Sequence, residues 1–347
     1  CMMYPRLVLL REFLREDGVI FVSIDDNEVD HLQLAMAEVF GRANQIALIV
    51  WEKGKKGDSK LVSVTHEYIL TYARSKKSLA RKGIKWRREK AGTQEVLSHH
   101  RALCVEHAGD HEKVRQEMLS WYRGLSKCDP RKAHKHYNWS DDRGLYFAAD
   151  FAGPDDGREN RPRYNIPHPI TGKACKIPST GWRWEEPRTK AALAENPPRI
   201  HFGKDHTTIP NRKSYLHEVD QEPMQSVFYK DGRAATLELE ALLGPNAFPF
   251  PKDSDVIAGL LSMVTAPGDT VLDSFCGSGT TGHAVLKCNQ GMKEPLRFIL
   301  IEIEETVAVN KARERLRRIV EGNTSLNGNA RAGFILGDSN EFSLFFN

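Results

Sequence analysis

Between Val271 and Val285 the chain reads VLDSFCGSGTTGHAV: apolar residues closing on an acid, then glycines, then residues that open a helix. Few folds accommodate that order. A strand that ends in a carboxylate and turns through glycines into a helix belongs to an α/β architecture, with a ligand site at the carboxyl end of the strand. Val271 and Leu272 complete the strand and Asp273 stands at its tip. Gly277 and Gly279 then permit a tight turn where a β-carbon would block close approach, and Thr280 and Thr281 open a helix whose first N–H groups are unpaired.

Gly277, Gly279 and Gly282 also satisfy the G-x-G-x-x-G spacing of dinucleotide-binding dehydrogenases. In those proteins the first glycine follows the strand almost at once, whereas here Asp273, Ser274, Phe275 and Cys276 intervene. An acid at the strand tip suits a cationic ligand group and not a pyrophosphate. S-adenosylmethionine offers an ammonium and a sulfonium and has no phosphate. A nucleotide P-loop is excluded because no Gly-Lys-Ser/Thr follows the glycines.

A second acid stands where such a cofactor needs a ribose acceptor. Pro295 to Glu304 reads as a buried strand ending in carboxylates, about 20 residues beyond the glycines. Alternation puts Glu302 and Glu304 on one strand face, so the choice depends on where the strand ends; Glu302 is preferred. A helix over 305–319 follows, and 332–339 reads as a third strand with Asp338 at its tip. At the amino end the pattern predicts a helix over 4–15, a buried strand over 19–24 closed by Asp25 and Asp26, a helix over about 27–40, and strands over 45–51 and 67–72. The two ends together outline a doubly wound α/β sheet.

With 347 residues the chain has room for one large or two modest domains. It has no apolar run of membrane-spanning length and no signal pattern, and its six cysteines show no C-x-x-C pair, which predicts a cytoplasmic protein with reduced thiols. His99, His100, His107, His111, His134 and His136 cluster without metal-ligand spacing, so they read as solvated surface histidines and no metal site is expected. The net charge of +4 conceals a local excess: residues 51–140 carry 21 Lys/Arg against 10 Asp/Glu. The excess peaks between Ala73 and Lys90, where nine basic residues meet one acid in a segment without clear helix or strand period. Arg81, Lys82, Lys85, Arg87 and Arg88, with Trp86 among them, form a candidate DNA contact.

Residues 90–245 change character. A helix over 111–125 gives way to YNIPHPITGKACKIPSTGWRW and RIHFGKDHTTIPNRKSYL, an irregular α+β insertion with short strands. The expected organisation is thus 1–89 and 246–347 as the two parts of one core, with 90–245 inserted between them.

The order of these segments resembles the amino-methylating DNA methyltransferases of the permuted, beta class, and most closely the modification subunits of type III restriction systems. The resemblance is carried by LREDGVIFVSIDDNEVDHLQLAMAEVFG, HEYILTYAR, RIHFGKDHTTIPNRKSYL, SVFYKDGRAATLELEALLG, FPFPKD and LDSFCGSGTTGHAV. It implies a Rossmann-like S-adenosylmethionine-dependent sheet with one antiparallel edge strand, and a target-recognition role for the insertion. Asp273, Phe275, Gly277, Gly279 and Thr280 would bind S-adenosylmethionine, Glu302 would hold its ribose, and Phe248, Pro251 and Lys252 would close over it. The implied reaction is methyl transfer to N6 of a flipped-out adenine in double-stranded DNA, with a helicase-like restriction subunit and a second copy of the chain as partners. N4 of cytosine is the alternative target.

One departure is serious. The family's tetrapeptide Asp-Pro-Pro-Tyr, which positions the acceptor amine, does not occur; the lookalike Asn196-Pro197-Pro198-Arg199 has an arginine in place of the aromatic and follows a helical segment. Because the sequence begins at Cys1, partway into a helix, the expectation is that the motif lies upstream and that this stretch alone is inactive. A DNA-binding remnant without catalysis and a nicotinamide-dependent oxidoreductase are the competing readings.

Overall fold

The computed structural model describes residues 2–54, 60–158 and 160–322, and beyond them the backbone of two short strands. The chain divides into a first unit of residues 1–88 and 223–347 and a second unit of residues 89–222.

The first unit opens with α1 (Met3–Phe13), which buries Leu7, and continues through β1 (Val19–Ile24), α2 (Val29–Met36), β2 (Gln45–Glu52), β3 (His66–Ala73) and α3 (Lys76–Arg81). A π turn over Ala37–Gly41 extends α2, and Gly41, at φ +84°, ends it. The helix α3 was not expected. Its start is fixed by Ser75, whose side chain accepts from the Ser78 N–H, and it buries Ser78 and Leu79, too short an apolar face to leave a period in the sequence. After a short strand β4 (Arg88–Glu89) the chain enters the second unit.

There α4 (Thr93–Glu106) and α5 (His111–Gly124) precede β5 (Trp139–Asp141), β6 (Gly144–Ala149), α6 (Glu186–Ala194), β7 (Ile200–His201), β8 (Asn211–Tyr215) and β9 (Gln221–Glu222). The strands form an antiparallel sheet in the order β5-β6-β8-β7. The helical pair packs Val96, Leu103, Val114, Met118 and Tyr122 against Tyr137, Leu145 and Leu216. A separate cluster around Phe151, Ile166 and Trp182 supports the loop-rich part.

On return the first unit adds β10 (Val227–Tyr229), α7 (Arg233–Leu243), α8 (Ser254–Val264), β11 (Thr270–Asp273), α9 (Thr280–Cys288) and β12 (Arg297–Leu300). A turn of helix α10 (Glu305–Val307) then runs through a π turn into α11 (Glu314–Gly322), followed by β13 (Gly333–Phe334) and β14 (Phe345–Phe346). The boundary therefore falls at 222 and not at the expected 245, because Val227–Tyr229 pairs parallel with Val50–Glu52 of β2. The expected strand tip at Asp338 lies outside the described residues, as does most of the loop between β2 and β3.

Two four-stranded sheets result, in the orders β1-β3-β2-β10 and β11-β12-β14-β13. The implied antiparallel edge strand is instead interior: β3 runs against both β1 and β2. It lies inside because β2 and β3 form a hairpin whose second strand returns beside β1. Alternation along β3 sends Leu70 and Tyr72 to a cluster with Leu7, Leu32, Met36 and Phe40, and Ile69 to the opposite face with Ile49, Trp51 and Leu260. In the second sheet β11 and β12 are parallel, and Phe298 and Leu300 pack under α9 and α11 with Ala284, Val285, Ala312 and Leu316. Neighbouring residues of α8 serve the two cores, Leu260 the first and Leu261 the second.

Candidate cofactor site

The carboxyl end of β11 opens onto a cavity of about 790 Å³. That volume is typical of small-molecule sites, which span roughly 300–1,000 Å³. Its walls are Val19–Ser23 of β1, Thr270–Asp273 of β11 with the turn that follows, and Met3, Leu7, Leu10 and Phe13 of α1. β1 and β11 each end their sheet, so β1 is half-exposed along its whole length where the sequence predicted a buried strand.

Seven of the residues expected to hold a cofactor line this one cavity: Phe248, Pro251, Lys252, Asp273, Phe275, Gly277 and Thr280. The turn that gathers them depends on its glycines. Gly277 has φ +48°, and a β-carbon there would stand 3.2 Å from Cζ of Phe248. Gly279 has φ +74°, and its β-carbon would meet the Ala312 backbone at 3.0 Å, so it serves packing on the helical layer rather than lining the cavity.

Asp273 accepts from the Phe275 N–H at 3.1 Å and from the Thr281 hydroxyl at 2.5 Å. Burial pushes its carboxyl above the usual carboxylate range; the Thr281 and Phe275 hydrogen bonds oppose the shift, and the charge of Glu302 adds to it. Glu302 lies just past β12 and accepts from the Gly277 N–H at 2.9 Å and from the Glu304 N–H at 3.2 Å. Of the two acids left open by alternation, Glu302 thus reaches the glycine turn and Glu304 is exposed. Among the described residues neither Asp273 nor Glu302 has an ion-pair partner. Two adjacent carboxyls without a protein cation make a site that favours a positively charged group.

Lys252 turns its ammonium away from that role. Its Nζ lies 2.6 Å from Glu67 Oε2 on β3, and Lys53 holds the other oxygen of the same carboxylate. Burial would raise the Glu67 carboxyl, but these hydrogen bonds hold it below its usual value. Lys252 meets the turn through its backbone, where its carbonyl accepts from the Thr280 hydroxyl at 3.3 Å.

The basic segment is exposed at Arg81, Lys82, Lys85, Arg87 and Arg88. Lys82 is paired with Asp17 at 2.7 Å, and Trp86 is half-buried with its ring 6.4 Å from that of Phe21 on β1. The Asn-Pro-Pro-Arg segment has a structural task of its own: Arg199 binds Glu195 at 2.8 Å and both oxygens of Glu218 at 2.7 Å.

The histidines differ from the surface reading. His100 and His134 are buried, His100 bonded to Ser140 Oγ at 2.8 Å and His134 to the Ala91 carbonyl at 2.9 Å. Burial holds the His100 imidazole down to about 4. His107 pairs with Glu117 at 2.8 Å; with exposed Glu106 they place three possible ligand atoms within 4.8 Å of one another. Sequence reasoning also missed Arg315, fully buried beneath the glycine turn. The signal existed: Ala308, Ala312, Arg315, Leu316 and Ile319 share one helical face, on which Arg315 is the polar exception.

A parallel strand pair whose first member ends in a half-buried acid, turns through glycines of positive φ and opens a helix beside a cavity defines a Rossmann-like α/β protein built to hold a small organic cofactor. The chain matches the DNA methylase family (N6_N4_Mtase) over residues 2–309 and belongs to it. It is 32% identical over 311 residues to the Mod subunit of the type III restriction-modification enzyme EcoP15I of Escherichia coli, covering 87% of this chain and 46% of that one. Over 356 residues it is 25% identical to the type II methyltransferase M.EcaI of Enterobacter cloacae, covering 99% of this chain and 65% of that one. The chain spans about half the length of the type III relatives it matches. Among solved structures, that of TTHA0409 from Thermus thermophilus complexed with S-adenosyl-L-methionine aligns over 92% of this chain and 77% of its own, at 12% identity and a TM-score of 0.38. No helix among the described residues is long and apolar enough to cross a membrane.

Proposed function

We propose that this chain binds S-adenosylmethionine at the end of β11 and forms the cofactor-holding part of a site-specific DNA methyltransferase of the restriction-modification type, with N6 of adenine as the favoured target. The observation that carries the reading is the pair of carboxyls without an ion-pair partner among the described residues: Asp273 lines a cavity of about 790 Å³, and Glu302, outside its lining, holds the Gly277 N–H of its wall. When bound, the cofactor supplies an electrophilic methyl group on a sulfonium centre. Asp273 and Glu302 attract its positive end and hydroxyls, Phe248 and Phe275 cover apolar surface, and the turn at Gly277 lets the backbone come close.

Positioning of an acceptor amine needs hydrogen-bond acceptors and a stacking face; the family's Asp-Pro-Pro-Tyr, which would provide them, does not occur in this sequence. We assign that task to a strand seated between β1 and β11, each of which ends its sheet among the described residues. Target recognition falls to the second unit and to Arg81, Lys85, Arg87 and Arg88; double-stranded DNA and a restriction subunit are the proposed partners, and the chain is proposed to pair with a second copy.

Thermal unfolding with S-adenosylmethionine and, separately, NAD tests the reading. A ligand at 100 times its Kd stabilises by about 2.7 kcal/mol. A rise in Tm with S-adenosylmethionine alone is expected; a rise with NAD alone, or with neither, sinks it.

A further inference from the structure

Beneath the glycine turn, on the side away from the cavity, Arg315 of α11 is fully buried. A guanidinium there is tolerated only where charge and hydrogen bonds replace water. Nη1 donates up to the turn, to Thr280 Oγ1 at 3.0 Å, Ser278 Oγ at 3.3 Å and the Ser278 carbonyl at 3.5 Å. Nη2 donates down, to Glu238 Oε2 on α7 at 3.1 Å and to His283 Nδ1 on α9 at 3.0 Å. Burial, with Arg315 beside it, holds the His283 imidazole down to about 4, so the ring is neutral and accepts. Glu238 is fixed in turn by Lys287 Nζ at 2.7 Å and by the Ser254 hydroxyl at 2.7 and 2.8 Å.

We propose that Arg315 is the positioning residue of the cofactor turn. It ties Ser278 and Thr280 to the helical layer from below, so that Gly277 and Thr280 face the cavity in binding geometry before a ligand arrives. The inference rests on the cavity being the S-adenosylmethionine site. Its physical basis is that a segment with two glycines loses much conformational entropy when ordered, and a clamp that orders it beforehand removes that cost from binding. Only a planar fork reaches both sides. A lysine ammonium at this position can face the turn or Glu238, not both.

The test measures two quantities on the whole 347-residue chain: affinity for S-adenosylmethionine by calorimetry and local amide exchange without ligand. Arg315→Lys should weaken binding about tenfold, the loss of one charge-assisted hydrogen bond, and accelerate exchange at 277–281 while leaving β12 unchanged. Arg317→Gln, at an exposed ion pair on the same helix, should change neither. Ser278→Ala removes part of the other end of the same contact, so its effect on affinity should be non-additive with Arg315→Lys. Wild-type affinity and wild-type turn exchange in Arg315→Lys, or strict additivity, overturns the positioning role. Failure of the wild-type chain to bind S-adenosylmethionine overturns the cavity reading instead, and with it the ligand named here.

Discussion

The carboxylate of Glu302, two residues past β12, accepts the N–H of Gly277 at 2.9 Å and adds a side-chain tie to the backbone bonds of Cys276 N–H to the Ile301 carbonyl and Ile301 N–H to the Asp273 carbonyl. Asp273 holds the Phe275 N–H from the strand side and Arg315 holds Ser278 from below. Three charged side chains from three elements thus define one short loop, and the loop is where substitutions should separate stability from binding.

Asp273→Asn should do this most plainly. The folded carboxyl is raised above its ordinary value by burial, so its contribution to stability is present at low pH and lost as pH rises through the folded pKa. Removing the charge should raise the Tm of the ligand-free chain at pH 7 and weaken S-adenosylmethionine binding at least about tenfold. Paired thermal scans with and without ligand check both signs; a variant that binds as wild type would remove Asp273 from the site.

The two glycines should respond differently to alanine. At Gly277 the cost is a left-handed conformation and pressure on the Phe248 ring, about 1–2 kcal/mol in stability with a larger proportional loss of cofactor affinity. At Gly279 the new methyl meets the Ala312 backbone, which cannot move aside as a side chain can. Urea unfolding should therefore rank Gly279→Ala below Gly277→Ala in stability, and calorimetry on the folded fraction should reverse the emphasis.

Acid should loosen the second unit before its carboxylates titrate. His100 moves from 6.5 to about 4, so between those values the unfolded chain takes up a proton that the folded chain refuses. Stability is full above pH 6.5 and falls as the pH drops, by about 2 kcal/mol at pH 5 from this residue alone. His283 adds a loss of the same sign in the first unit. His100→Gln should flatten the difference between urea midpoints at pH 7 and pH 5; an unchanged difference would show that His100 is not its source.

For DNA, the informative charge reversals are Arg81, Lys85 and Arg87. Lys82 already pairs with Asp17, so reversing it would disturb the fold as well as the surface. The triple variant should weaken binding evenly across sequences and reduce the slope of log K against log salt by about 0.9 for each phosphate no longer neutralised. Equal slopes for variant and wild type would leave the segment as a solvated surface.

Much of the first unit was legible because its elements carry their own punctuation. Val19–Ile24 was bounded correctly from one apolar run ending in acids, and the strand, acid, glycine and helix order located β11 and α9. The helix α4 was missed because its buried face includes Thr93 and His100 beside Val96, Leu97 and Leu103, which blurs the apolar period. The histidines misled for the same reason: whether an imidazole is solvated depends on distant partners such as Ser140, 40 residues away. The boundary at 222 was hidden because β10 shows its allegiance only by pairing with β2. Arg315 looked like Arg317 and Arg318 until burial set it apart.

A strand edge is a row of unsatisfied peptide donors and acceptors, and β1 and β11 present two such rows to one cavity. Backbone pairing of that kind does not discriminate by the origin of the strand it takes. An extended peptide of suitable length, a strand of a second copy included, would pair with either edge, so association of this chain should rise with its concentration, which light scattering over a dilution series measures.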